Sequence, residues 1–239
     1  MTNIELKDKS YSWKEATLSE FLEEGNTPED WRDFFHNGNI RDILTDISSE
    51  LAKESRILYP PLKDVLRAFY MTPLNTFKVV LLGQDPYHSG THEFDGSAMG
   101  LAFSVRPGNQ INPSLRNIYK ELVTEGFPGN GRDGDLREWT SHTLLLNMAL
   151  TVVKGEAGSH SCLWNDFSQE LIKYIDEKRG DTVVWLLFGN EAQSVAVHIR
   201  HGKIERASHP SPFSCFRATK TAPAFIGSGI FRSVGGIQW

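Results

Sequence analysis

The chain has 239 residues, 39% hydrophobic and 11% aromatic, enough core for one large α/β domain or two small ones and too apolar for a disordered protein. Its formal charge is −5, from 25 basic and 30 acidic residues, which taken alone argues against a nucleic-acid partner. No apolar run nears the ~18 residues of a membrane span, and the polar stretch Met1 to Lys9 carries no secretory apolar core. An intracellular protein, cytoplasmic or nuclear and away from membranes, is expected. The two cysteines, Cys162 and Cys215, lie far apart with no metal-ligand spacing. They read as reduced thiols.

Helices are marked by caps and periodicity. Thr27-Pro28-Glu29-Asp30 predicts a capped short helix through Phe35, closed by Gly38. Ile43, Ile47 and Leu51 share one face of a second helix. Pro61 opens a third, with Leu62, Val65, Leu66 and Phe69 inward. Asn112-Pro113 starts a fourth, with Leu115, Ile118 and Leu122 inward and Gly126 past its end. Asn165 caps a fifth that stops at Gly180, and Asn190 caps a last one ending near Gly202.

Between them lie apolar runs of strand length: Lys78 to Leu82, Thr143 to Leu146, Thr182 to Phe188, and a weaker one from Lys203 to Ala207. The first and third lack polar alternation, as strands buried on both faces should. The fold class predicted is α/β: a three-layer α/β/α arrangement with a central, mainly parallel four-stranded sheet. One domain over 1–239 is expected, with a helical part at 1–59 and an α/β core at 60–239.

Each run ends in a polar or glycine-bearing segment: Gly83-Gln84-Asp85, Asn147, Gly189-Asn190, and Ser208-His209-Pro210-Ser211. Parallel sheets bind ligands beyond the carboxyl ends of their strands, so these segments are expected to share one rim. The charge is also uneven. Between His198 and Lys220, Arg200, Lys203, Arg206, Arg217 and Lys220 face only Glu205, a local basic stretch of the kind that phosphate contact requires.

Asp85 follows a buried run and precedes a turn-fixing proline. A carboxylate there can orient water, act as a general base or stabilise developing positive charge. It can equally be a turn aspartate accepting backbone N–H groups.

Gln84-Asp85-Pro86-Tyr87-His88 directly after a Val/Leu run resembles the water-activating motif of the family 1 uracil-DNA glycosylases. The resemblance continues in the family's order through Gly100-Leu101-Ala102-Phe103-Ser104-Val105, Pro113-Ser114-Leu115, Leu144-Leu145-Leu146-Asn147 and His209-Pro210-Ser211-Pro212, and it covers Pro60 to the carboxyl terminus. It implies a DNA-repair hydrolase that flips uracil out of single- or double-stranded DNA and cleaves its N-glycosidic bond, as a monomer and without metal or cofactor. Asp85 and His209 would then be catalytic. Gln84, Tyr87, Phe103 and Asn147 would bind the base. Ser114, His160, Ser211, Phe213 and Ser214 would contact DNA. No motif establishes an inhibitor or replication partner.

Four features depart from the family's pattern. Phe213 stands where leucine is usual for the wedge that enters the base stack. The loop Ser89 to Met99 is enlarged, and its Glu93, Phe94 and Asp95 have no counterpart. Asn112 replaces a proline, and the segment around Trp164 is slightly shortened. Other readings stay open at this point: a metal-dependent hydrolase built on Asp85, His88, His92 and Glu93, a non-catalytic DNA-binding protein, or a glycosylase of broader base choice.

Overall fold

A computed structural model of the chain describes residues 12–90, 96–129 and 133–239. The polar amino-terminal stretch and His92, Glu93, Phe94 and Asp95 of the enlarged loop therefore lie outside the described residues.

The amino-terminal part is helical. Thr17 caps α1 (Leu18–Glu23): its hydroxyl accepts the Glu20 N–H, and the Glu20 carboxylate accepts the Thr17 N–H at 2.7 Å. Such a reciprocal cap contributes about 1 kcal/mol. The Thr-x-x-Glu pattern was visible in the sequence, yet the predicted elements begin only at Thr27. The chain next forms a 3₁₀ turn (Glu29–Trp31) running into α2 (Arg32–Phe35), with no side-chain bond from the residue before it. Gly38 does not close this helix. Asn37 is extended and accepts the Asn39 N–H at 3.0 Å, so Gly38 is the first residue of α3 (Gly38–Leu51). A good capping side chain outweighs the stop signal of a glycine beside it.

After the two-residue strand β1 (Leu58–Tyr59), Pro61 leads into a 3₁₀ turn (Leu62–Asp64) and α4 (Arg67–Met71). The first sheet strand, β2 (Val79–Gly83), precedes α5 (Pro113–Thr124). Then come β3 (Thr143–Asn147), the short β4 (Val152–Val153) and α6 (Asn165–Arg179). The chain finishes its regular structure with β5 (Val184–Phe188), α7 (Gly189–Ser194) and β6 (Lys203–Ala207). Asn165 and Asn190 lie inside α6 and α7 rather than capping them, and α7 gives way to a 3₁₀ turn (Val195–His198) well before Gly202. The pair β1–β4 was not predicted. Two-residue strands carry no readable period.

The four strands run parallel in the order β3-β2-β5-β6. All five residues of β2 and of β3 are buried. Neighbouring side chains point to opposite faces, so both faces of the sheet are covered. The chain moves from β2 outward to β3, then returns past β2 to β5 and β6. With right-handed crossovers, α5 and α6 fall on opposite faces, and the direction of winding reverses between β2 and β5. Parallel α/β sheets open a crevice at that reversal. In register, Gly83 lies opposite Asn147, Leu82 opposite Leu187, and Phe188 opposite Ala207. The four carboxyl ends therefore meet at one level.

The core is continuous from α1 to the carboxyl terminus. Trp31 stacks on Phe77 at 6.1 Å and donates its indole N–H to the Thr72 carbonyl at 3.0 Å, while Phe34 meets Phe167 of α6 edge-on at 5.6 Å. No helix among the described residues is long and apolar enough to cross a membrane.

One buried charge ties this scaffold to the rim. Asp64 is fully buried and binds two guanidinium groups, that of Arg67 and, at 2.5 Å, that of Arg106. Arg106 also donates to the Ala98 carbonyl at 3.1 Å, so the carboxylate clamps the segment that ends just past Phe103. Removing one member of a buried cluster strands the others. Asp64→Ala is expected to cost about 3–5 kcal/mol of stability in urea unfolding.

Candidate active site

Beyond the carboxyl ends of β2 and β3, beside the loop after β6, a cleft of about 440 Å³ opens, lined among others by Gln84, Asp85, Tyr87, Phe103, Ser114, Asn147, His209, Ser211 and Phe213. Nine of the eleven residues singled out in the sequence thus meet in one cavity. Ser214 and His160 do not line it. Ser214 lies behind the loop, donating its hydroxyl to the His209 carbonyl at 2.9 Å and bonding to the Ser211 hydroxyl at 2.9 Å. His160 is buried in a network in which its Nδ1 lies 2.8 Å from the Thr151 hydroxyl, which also accepts the Trp164 indole N–H at 2.7 Å. Burial lowers its pKa.

The turn after β2 is lashed to the one after β3. Met148 N–H donates to the Gly83 carbonyl at 3.0 Å, and Ala149 N–H donates to the Gln84 carbonyl at 2.9 Å. Glycine at 83 leaves room for the Asn147 amide, because a Cβ there would displace Asn147 Oδ1 and press on the Phe103 ring at 3.3 Å. Asn147, the last residue of β3, is mostly buried, and its side-chain amide has no partner among the described residues. Its donor and acceptor are therefore both available to whatever enters the cleft.

Asp85 sits two residues past β2. Burial raises its pKa above the usual carboxylate value, opposed by the Gly158 N–H donated to Oδ2 at 2.6 Å and by nearby His88. Tyr87 is pinned by its hydroxyl, which donates to the Phe103 carbonyl at 3.0 Å, and burial drives its pKa upward. The hydroxyl bond holds its ring in the cleft wall.

Phe103 is the one non-glycine among the described residues with a positive φ, 62°. A left-handed bulky residue costs on the order of 1–2 kcal/mol, and here the surroundings enforce it. The Ala102 N–H reaches the Leu145 carbonyl at 3.1 Å, and the Tyr87 hydroxyl holds the Phe103 carbonyl. The ring packs against Phe188 at 5.9 Å and faces the His209 ring at 6.0 Å, inclined 41°. A backbone outlier held this firmly beside polar groups is typical of a binding site.

His209 follows β6. Its Nδ1 accepts the Ser211 N–H at 3.1 Å, which leaves the ring proton on Nε2. Burial pushes its pKa down to about 4, so the ring is neutral at physiological pH. Gly189, at φ +87°, makes room behind it, since a Cβ there would lie 2.9 Å from the His209 Cβ. At the mouth of the cleft Phe213 is 88% exposed. Exposed Arg217 and Lys220 lie close in the chain, whereas Lys203 spends its charge on Glu205 at 2.7 Å and on the Ser233 carbonyl. Ser114 stands in the first turn of α5, where no side chain caps the N–H groups. Helix starts of this kind favour anions.

Sequence reasoning missed the Gly158 donor and the Asp64 clamp. The first is a main-chain group, and the second depends on Arg106, 42 residues from Asp64, joining the local Asp64–Arg67 pair. Neither the donor nor the Arg106 contact has a local pattern. Among the described residues no cluster of three or more His, Cys, Asp or Glu is placed to hold a metal. His88 lines the cleft, and its buried Nδ1 has no partner among the described residues.

A family model described as the uracil DNA glycosylase superfamily matches residues 69–226. The uracil-DNA glycosylase of Clostridium beijerinckii is 41% identical over 211 residues, covering 84% of this chain and 87% of the relative. The crystal structure of mimivirus uracil-DNA glycosylase overlays with a TM-score of 0.81 at 26% identity, over 87% of this chain and 82% of that one. A variant of the mimivirus protein in complex with UGI overlays at 0.82, also at 26% identity, over 87% and 83% of the two chains. With the matched segment running from α4 through the loop that carries His209, the chain belongs to the uracil DNA glycosylase superfamily.

Proposed function

We propose that the cleft is where this chain excises uracil from DNA, with Asp85 and His209 as its catalytic pair. The observation that carries the reading is convergence. A strained aromatic, an unpartnered amide, a half-buried carboxylate and a neutral histidine from separate segments line one cavity of about 440 Å³.

The roles follow from the chemistry. A base inside a duplex is out of reach, so the nucleotide must be flipped into the cleft. Phe103 stacks on the uracil ring, a contact worth about 1–3 kcal/mol. Asn147 donates to O4 and accepts from N3–H. Cytosine reverses that pattern and leaves buried groups unpaired. Breaking the N-glycosidic bond leaves positive charge on the sugar and negative charge on uracil. Asp85 stabilises the first and orients the attacking water. The neutral His209, holding its proton on Nε2, donates to O2 and stabilises the second. The Gln84 main chain also faces O2. Water adds to the sugar carbon as uracil departs, giving an abasic site and free base. Ser114 and Ser211 contact phosphates, and Phe213 fills the gap that the flipped base leaves. We place Ser214 and His160 one layer back, Ser214 holding the His209 loop and His160 bracing the wall behind the site. The chain acts as a monomeric single domain on single- and double-stranded DNA.

Alkali-sensitive cleavage of a uracil-containing oligonucleotide, unaffected by EDTA, tests this. Binding without abasic-site formation would return the non-catalytic reading, and loss with EDTA the metal hydrolase. Tyr87 gives a further expected result. Its ring occupies the space beside C5, so Tyr87→Ala should release thymine from DNA at a rate measurably above that of the unaltered protein, while uracil release slows by about tenfold or less.

A further inference from the structure

The segment between β4 and α6 holds none of the residues to which a catalytic or base-reading role has been given, yet it touches Asp85 directly. Gly158 donates its N–H to Asp85 Oδ2 at 2.6 Å. It does so from a left-handed conformation, φ +73°, in which other L-residues are strained. The segment is fixed on both sides. Lys154 N–H donates to the Ile57 carbonyl at 2.8 Å, and Gly155 N–H donates to the His88 carbonyl at 2.8 Å. Val153 N–H donates to the Ser159 hydroxyl at 2.8 Å, and Ser161 N–H to the Gly158 carbonyl at 3.1 Å. Arg56 joins Glu156 at 2.7 Å, but both side chains are about half exposed. Exposed pairs contribute little, so the main-chain bonds carry the bracing.

We propose that Gly158 is a positioning residue for the reaction, aiming the N–H that fixes one oxygen of the Asp85 carboxylate and leaves the other for the attacking water. The inference rests on the reading of Asp85 as the catalytic carboxylate. A carboxylate in a buried turn would otherwise rotate about its side-chain bond and take up a proton more readily. A charge-assisted hydrogen bond opposes both. Of the titratable groups around it, His88 acts on the Asp85 carboxylate, while Tyr87 and His209 line the same cleft. The 154–161 segment brings it only the Gly158 main chain, because Glu156 turns away to Arg56.

The test is single-turnover kinetics on uracil DNA for G158V, G158N, D85N and the double variant D85N/G158V. Valine disfavours the left-handed region most, whereas asparagine tolerates it. G158V is expected to lower the rate by about 10–100-fold, the cost of a misplacement near 1 Å. KM should hold, and the acid limb of the pH profile should move upward. G158N should restore most of the rate, and G158V should add nothing in the D85N background. An unchanged G158V rate with D85N inactive would overturn the inference while sparing the reading of Asp85, and so would an equal loss in both backgrounds. A fully active D85N would overturn both. If G158V does not fold by circular dichroism, G158A serves in its place. A Cβ at 158 meets only ordinary contacts, 3.5 Å to Ser161 Oγ and 3.7 Å to Gln84 Nε2, and the same pattern is expected at smaller size.

Discussion

Asp85→Asn should lower the single-turnover rate of uracil release by about 1,000-fold, within the 10²–10⁴ range expected for a positioned acid or base. DNA binding should persist, because the proposed phosphate contacts, Ser114 and Ser211, are untouched. The substitution also separates chemistry from folding. The amide introduced by D85N would keep an oxygen for the Gly158 N–H and would lose only the charge. In the native protein burial raises the Asp85 pKa. The stability linked to that shift is complete below the unfolded value and is lost as pH rises through the folded one. Wherever the carboxylate is charged it therefore weighs against folding, and above the folded pKa D85N should melt higher than the unaltered protein, with the gap closing in acid. A lower Tm at pH 7 would show that the carboxylate serves the fold instead.

His209 has the opposite sign. Its folded pKa, about 4, lies below the ordinary histidine value, so the unfolded chain takes up the proton first. Stability falls as pH drops from the ordinary value toward the folded one. Burial thus favours the neutral form of both groups, the form proposed for His209, whereas the Gly158 N–H and His88 pull Asp85 back toward its charged form.

Asn147→Asp should reduce uracil release by about 1,000-fold, as expected when uracil O4 loses its donor and meets a carboxylate oxygen, two buried groups left unpaired at ~1–3 kcal/mol each. The carboxylate offers no donor to O4 and sets its charge against that oxygen. It can accept from the amino group of cytosine, so slow cytosine release should appear as uracil release falls. Aspartate matches asparagine in shape and keeps the fit against Gly83, where no Cβ can be accommodated. A change in rate then reports hydrogen bonding rather than packing. Paired single-turnover assays on uracil and cytosine oligonucleotides check this, and an unchanged uracil rate would remove Asn147 from base recognition.

Three of the four sheet strands were legible because Val/Leu-rich runs have few options beyond a strand buried on both faces, while the edge strand β6, Lys-Ile-Glu-Arg-Ala, gave only a weak signal. Their common rim was legible too, because parallel strands in register end together. That is how Gln84, Asp85, Asn147 and His209 could be brought to one place before any coordinates. Helix ends were less readable. Gly38 carries a stop signal, but Asn37 beside it carries a stronger start signal, and only the extended backbone at Asn37 decides between them. His160 and Ser214 matched motif positions, while their hydrogen bonds to Thr151 and to the His209 carbonyl depend on chain paths that no local pattern records. The left-handed Phe103 was invisible for a related reason. Nothing in Ala-Phe-Ser announces a positive φ, which is imposed by bonds from Ala102 and Tyr87 to other segments.

Base choice is the property that the cleft should set most directly. The measurement is single-turnover release of free base by the unaltered protein from oligonucleotides carrying uracil, cytosine, thymine, hypoxanthine or an alkylated base at one position. The geometry of Tyr87, Phe103, Asn147 and His209 predicts rapid uracil release with an abasic site left behind, and release of the other bases slower by orders of magnitude. Comparable release of thymine or hypoxanthine, or tight binding with no base released, would contradict it.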